Sequence, residues 1–132
     1  MAKKFSFNIK VYYEDTDAGG VVYYANYLKF LERARSEAIY SLGYTNSSLL
    51  EIFGVLLIVK SCNIEYKKPA KFEDKLEIIS EIKSFTKTSF LMKQSVLRDN
   101  ELITYADVCL VSVNKKGKPV KIPNELSKKL EN

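Results

Sequence analysis

Three carboxylates crowd one short stretch, Glu14, Asp15 and Asp17, and glycines follow at 19 and 20. No histidine occurs in the 132 residues. Serine–histidine–aspartate and cysteine–histidine catalysis are therefore excluded within this chain, as is any reaction that needs a histidine base. Cys62 and Cys109 stand apart with no CxxC spacing. They read as reduced core thiols, and no metal site is expected from them.

Carboxylate chemistry remains. Asp17 lies just ahead of an apolar helical stretch. The first N–H groups of a helix have no internal partner and carry the positive end of its dipole. A carboxylate attacking a carbonyl there, or taking a proton from water, would face donors able to hold an oxyanion. Each such donor is worth about 3 kcal/mol. Gly19 and Gly20 let the backbone bend close to a ligand. The plainer alternative is that Asp17 caps the helix or orders its loop. Asp15 is expected to bond the loop backbone as an Asx-type turn.

The elements that must position these residues follow from periodicity. Residues 5–13 alternate apolar and polar at period two and predict a strand. Residues 24–42 predict a helix, with Tyr24, Leu28, Leu31, Arg35, Ala38 and Leu42 along one side. Tyr27, Ala34 and Ile39 widen that stripe. Glu32, Arg33, Arg35 and Glu37 look like salt-bridging positions, Arg33 and Glu37 at i, i+4. Gly43 is placed to stop the helix, and Asn46 with its two following serines to cap a shorter one through Phe53. From Gly54 onward four long strands follow, separated by turn chemistry at 68–70, 98–101 and 115–119. Asp99-Asn100 predicts a hairpin, and Pro123-Asn124 a short terminal helix. A broad apolar helix and five strands fit an α+β layer of antiparallel sheet wrapped on a helix. The sheet's other face and its edges would still need cover, which favours an oligomer.

The length fits one domain over 1–132. The net charge of +5 is concentrated in a lysine-rich tail, where residues 114–132 hold six cations and two carboxylates. Those lysines lack interleaved aromatics, so no nucleic-acid partner is expected. No apolar run approaches the ~18 residues of a membrane span, and no apolar signal core follows Met1. Stable membrane insertion is not expected, and cytoplasm is the default location.

The stretch YYEDTDAGGVVYYANYLKFLERAR (12–35) resembles the 4-hydroxybenzoyl-CoA thioesterase family, especially its branch encoded with the Tol–Pal envelope system. Tyr13, Asp15, Thr16, Asp17, Gly20, Val22, Tyr23, Asn26 and Tyr27 fill that family's pattern. SCNIEYKKPAKFEDKLEI (61–78) and KSFTKTSF (83–90) resemble its later segments. The resemblance implies a hot-dog fold, a five-stranded antiparallel sheet around one long central helix. It implies hydrolysis of an acyl-CoA thioester without a cofactor, by a homodimer or homotetramer. Asp17 would be the catalytic carboxylate, and the backbone N–H of Tyr24 the oxyanion donor. Gly20, Val22, Tyr23 and Tyr27 would contact substrate, some of them across a subunit boundary. For the CoA phosphates the resemblance points to Lys87 with the Ser89 hydroxyl. Lys60 is a further candidate cation. Two family cations are Thr86 and Thr88 here. Position 24 is usually histidine in the Tol–Pal branch and tyrosine in the 4-hydroxybenzoyl branch. A non-catalytic acyl-CoA or acyl-carrier binding module is the alternative, and an envelope-system protein acting through contacts alone is another.

Overall fold

The computed structural model describes residues 3–131. Strand β1 spans Lys4–Lys10, and a single 3-10 turn follows at Tyr13–Asp15. Helix α1 is Asn26–Ser41 and α2 is Asn46–Phe53. Strands β2 (Leu56–Tyr66), β3 (Lys75–Phe85), β4 (Ser89–Arg98) and β5 (Glu101–Val113) follow, and α3 (Asn124–Glu131) closes the chain. The strands form one sheet in the order β1-β3-β4-β5-β2, antiparallel at each pairing. This is the hot-dog arrangement, with α1 packed across the sheet's inner face.

Period-two alternation puts Phe5, Ile78, Met92 and Val108 on that inner face, where each is buried. The opposite face carries Glu81, Lys93 and Asp107 in register across three strands. Charge alternation makes that face tolerable to water. The β2 edge is the less comfortable boundary: it pairs only with β5 and leaves Ile58 46% exposed. Register slips by one residue between Val59 and Ser61, so Lys60 is a bulge.

Asp99 and Asn100 have φ of 49° and 67°. That is the geometry of the two-residue turn joining right-twisted strands, and it makes the expected hairpin. Gly43, at φ 94°, follows α1 as the expected stop. Three readings need correction. The cap of α2 is Thr45, whose hydroxyl accepts from Ser48 N at 3.0 Å, while Asn46 is already helical. The first strand ends at Lys10, because the carboxylate of Asp15 accepts from Tyr12 N and tightens the chain into the 3-10 turn. Most of the stripe expected for α1 is buried, Tyr27, Leu31, Ala34, Ala38, Ile39 and Leu42, but its N-terminal members are not and Phe30 joins it. Phe30 and Leu31 are 1% and 0% exposed, whereas Tyr24 is 61% and Leu28 48% exposed.

The expected helix-surface ion pairs do not form among the described residues. Arg35 turns toward the sheet and donates from Nη1 to Gln94 Oε1 at 3.0 Å. Gln94, fully buried, donates in turn to Leu31 O and Ser80 Oγ, each at 3.0 Å. A buried amide with both ends satisfied stabilises one helix–sheet register. Cys62 and Cys109 are free but only half-buried.

Candidate active site

Residues 11–26 are shaped by backbone hydrogen bonds that start from Asp15. Its carboxylate accepts from Tyr12 N at 2.8 Å, and its carbonyl accepts from Tyr23 N and from Asn26 Nδ2. Asp15 is buried, so it orders the loop. The Asx-type bond expected of Asp15 belongs instead to Asp17, whose Oδ1 accepts from Gly19 N at 2.8 Å. Asp17 N donates to Val21 O, and Gly20 N to Asp17 O, closing a tight turn. Gly20 sits at φ 81°, where a side chain would be strained. A Cβ on Gly19 would stand 3.2 Å from Asp17 Oδ1, so glycine there leaves the carboxylate room. Asp17 Oδ2 accepts no hydrogen bond among the described residues, and the side chain is exposed.

Val22 pairs back onto the strand connection, donating to Ala70 O at 2.8 Å. The chain then enters α1 through short-range turns: Asn26 N donates to Tyr23 O, and Tyr27 N to Tyr24 O. The N–H groups of Tyr24 and Ala25 donate to nothing among the described residues. They are unpaired donors at the head of a long helix. Beside them lies a cleft of about 240 Å³ lined by Val22, Tyr24, Tyr27, Tyr66 and Pro69, with Lys67 and Lys68 at its rim. The Tyr66 hydroxyl donates to Tyr24 O at 3.2 Å. Burial pushes Tyr66 above the usual phenol range, so it remains a donor. Tyr27 is buried, its hydroxyl accepting from Ala70 N.

The connection carrying Pro69 and Ala70 is pinned from below. Arg98 donates to Pro69 O and to Asp74 Oδ2, each at 2.9 Å, and Asp74 Oδ2 also accepts from Lys71 N. Burial alone would raise the Asp74 carboxyl. The Lys71 N–H and the Arg98 guanidinium outweigh it and hold the group below its usual range.

Val22, Tyr24 and Tyr27 thus come together, with Gly20 and Tyr23 in the adjoining turns. Asp17 adjoins this cleft through its loop but does not line it. Lys87 and Ser89 sit at the other end of the sheet. The length of β3 separates them from Asp17, about 33 Å at ~3.3 Å per residue. Ser89 Oγ is engaged with Thr86 Oγ1 at 2.6 Å, and Lys87 is exposed. Lys60 projects from the bulge midway along β2. A larger hollow, about 480 Å³ beside Lys10, Lys75 and Asp99, contains none of these residues. Two contributors were missed. Tyr66 continues the inward alternation of Cys62 and Ile64, which could have flagged it. The other is a second cleft of about 160 Å³ between α1 and the β2 edge, where Glu32 and Arg35 meet Leu57, Val59 and Phe90. No local signal marked it, because it depends on which way Arg35 turns.

A hot-dog sheet, with an aromatic cleft and free amides at the head of its central helix, defines the class. The pattern of the thioesterase-like superfamily matches residues 11–130, and the chain belongs to that family. The acyl-CoA thioesterase YbgC of Haemophilus influenzae is 42% identical over 123 residues, covering 92% of this chain and 90% of that protein. The acyl-CoA thioester hydrolase YbgC of Escherichia coli O6:H1 is 40% identical over 124 residues, covering 92% of each. A probable thioesterase from Bartonella henselae superposes with a TM-score of 0.88 at 33% identity, covering 92% of this chain and all of that one. A mutant 4-hydroxybenzoyl-CoA thioesterase complexed with 4-hydroxybenzoyl-CoA superposes at 0.91 with 22% identity, over 98% of this chain and 99% of that one, a likeness of fold.

Proposed function

We propose that this protein hydrolyses acyl-CoA thioesters to the free acid and coenzyme A, with Asp17 as the catalytic carboxylate. The observation that carries this reading is the unpaired N–H of Tyr24 at the head of α1, beside an aromatic cleft. A thioester oxygen seated there gathers negative charge as its carbon is attacked, and a prearranged donor stabilises that charge. Asp17 then acts in one of two ways. Its free oxygen attacks and forms an anhydride that water cleaves, or it takes the proton of an attacking water. In both routes the C–S bond breaks, coenzyme A leaves as its thiolate, and a proton from the water consumed restores the thiol. The activity of the YbgC relatives supports the same chemistry.

The site is completed by a second copy. The β2 edges of two chains pair about a two-fold axis near the bulge, removing an exposed edge that would otherwise template aggregation. Each chain's Tyr24 cleft then lies beside its partner's second cleft, the one that holds Arg35, forming one composite acyl pocket. The partner's end of the sheet also brings Lys87 and Ser89 within reach of the CoA phosphates. Lys60, near the axis, is a subsidiary cation. The proposed location of this hot-dog domain is the cytoplasm. Among the described residues no helix is long and apolar enough to cross a membrane.

Thiol release from a panel of acyl-CoAs tests the reading. Asp17→Asn is expected to lower kcat about 10²- to 10⁴-fold while substrate binding persists. Undiminished release by Asp17→Asn would remove Asp17 from the chemistry. A second reading, an acyl-CoA-binding module without turnover, draws on the position of Asp17 outside the cleft lining. Binding with no release by the wild-type protein would establish it.

A further inference from the structure

We infer, taking the composite acyl pocket as given, that Arg35 selects acyl chains carrying a hydrogen-bond-accepting oxygen near their far end. The cleft beside Arg35 is walled mainly by carbon, Leu57, Val59, Phe90, Met92 and Leu110 among others, and Glu32, Ser36 and Asn46 also line it. Its volume of about 160 Å³ holds about five water-sized groups at ~30 Å³ each. That bounds the far end of the chain, while the Tyr24 cleft of about 240 Å³ takes the part nearer the thioester. Walls of carbon alone would favour plain hydrocarbon.

The guanidinium changes that preference. An arginine offers five N–H donors. Arg35 gives one hydrogen bond, to the neutral Gln94 amide, and forms no ion pair among the described residues. Glu32, the nearest carboxylate on its own helix, is exposed and takes the Ser36 hydroxyl instead. Gln94 is itself held by Leu31 O and Ser80 Oγ, so the guanidinium is steered by a fixed acceptor. Burial lowers the hold of Arg35 on its proton, as expected of a cation stripped of part of its water. Arg35 is half-buried, and donors that a bound chain seals from water without supplying an acceptor are costly. A ligand oxygen that accepts from them is therefore favoured over a methyl group of the same size. A ketone oxygen and a terminal carboxylate are two sources of that acceptor.

Three thioesters of nearly equal shape separate the possibilities. 4-Methylpentanoyl-CoA ends in two methyls, 4-oxopentanoyl-CoA in a methyl and a carbonyl oxygen, and succinyl-CoA in two carboxylate oxygens. Wild-type thiol release, corrected for spontaneous hydrolysis, is expected to give kcat/KM at least about tenfold higher for one of the oxygenated pair. The better of those two identifies the acceptor as neutral or anionic. Arg35→Met is expected to erase the preference. A wild-type preference for 4-methylpentanoyl-CoA, or a preference that survives Arg35→Met, overturns the role of Arg35. If Arg35→Met fails to fold, because it also removes the donor to Gln94, the wild-type ratio decides alone. If no thioester is cleaved, the hydrolytic reading fails instead. The same three compounds are then ranked by Kd, where equal affinities overturn the inference and a tenfold preference for an oxygenated end supports it.

Discussion

The approach to α1 and its second turn carry the same kinds of side chain in opposite surroundings. Phe30 and Leu31 are sealed against the sheet, while Tyr23, Tyr24 and Leu28 remain open to water. Burial of apolar surface is worth roughly 25 cal/mol per Å², and the open residues forgo much of that in the single chain. The second turn serves folding, whereas Tyr23, Tyr24 and Leu28 add little to it and stay available for contact. Tyr66 belongs with the second group: it is 44% exposed, yet spends its hydroxyl holding the backbone of Tyr24.

The contrast can be broken by substitution. Phe30→Ala should have the largest effect, about 3–5 kcal/mol of stability, read by urea denaturation. A loss under about 1 kcal/mol would mean that the second turn is not the core it looks to be. Asp74→Asn should have an intermediate effect, up to about 1 kcal/mol near neutral pH, as expected for a partly exposed pair. The folded carboxyl lies below its ordinary value, so its contribution is present above the unfolded value of about 3.9. It is lost as pH falls through the folded value. Thermal melts across that range should show the wild-type advantage over Asp74→Asn shrinking with acid. An advantage that stays constant would deny the pair its charge. Tyr24→Ala should be smallest for stability, within about 0.5 kcal/mol. It keeps the backbone donor, so KM for acyl-CoA should rise several-fold with kcat little changed. A large fall in kcat would give the Tyr24 ring a part in the chemistry itself.

Much of this arrangement was legible before the structure. Alternation in the four later strands, Gly43 and Asp99-Asn100 each act locally and match the structure, whereas alternation carried the first strand past its end at Lys10. The helix face was harder. Leu28 and Phe30 are both apolar, and two stripes offset by part of a turn share Leu31 and Ala38. Only the sheet decides which stripe is buried. The salt-bridge reading of Arg35 failed for the same reason: its acceptor, Gln94, lies 59 residues away in sequence. At the site, the turn residues Asp17 and Gly20 were identifiable by type, whereas Tyr66 and the second cleft depend on tertiary approach. The gap between Asp17 and Lys87 could not be read from spacing, because a long antiparallel strand carries the two to opposite ends.

The bulge at Lys60 bears on this layout through parity. Before it, the odd-numbered Leu57 and Val59 point toward α1, and after it the even-numbered Cys62, Ile64 and Tyr66 do. One inserted residue therefore keeps both ends of β2 facing inward. Were it deleted, one half of the strand would invert, and one of the two clefts would lose its β2 wall to the charged side of the sheet.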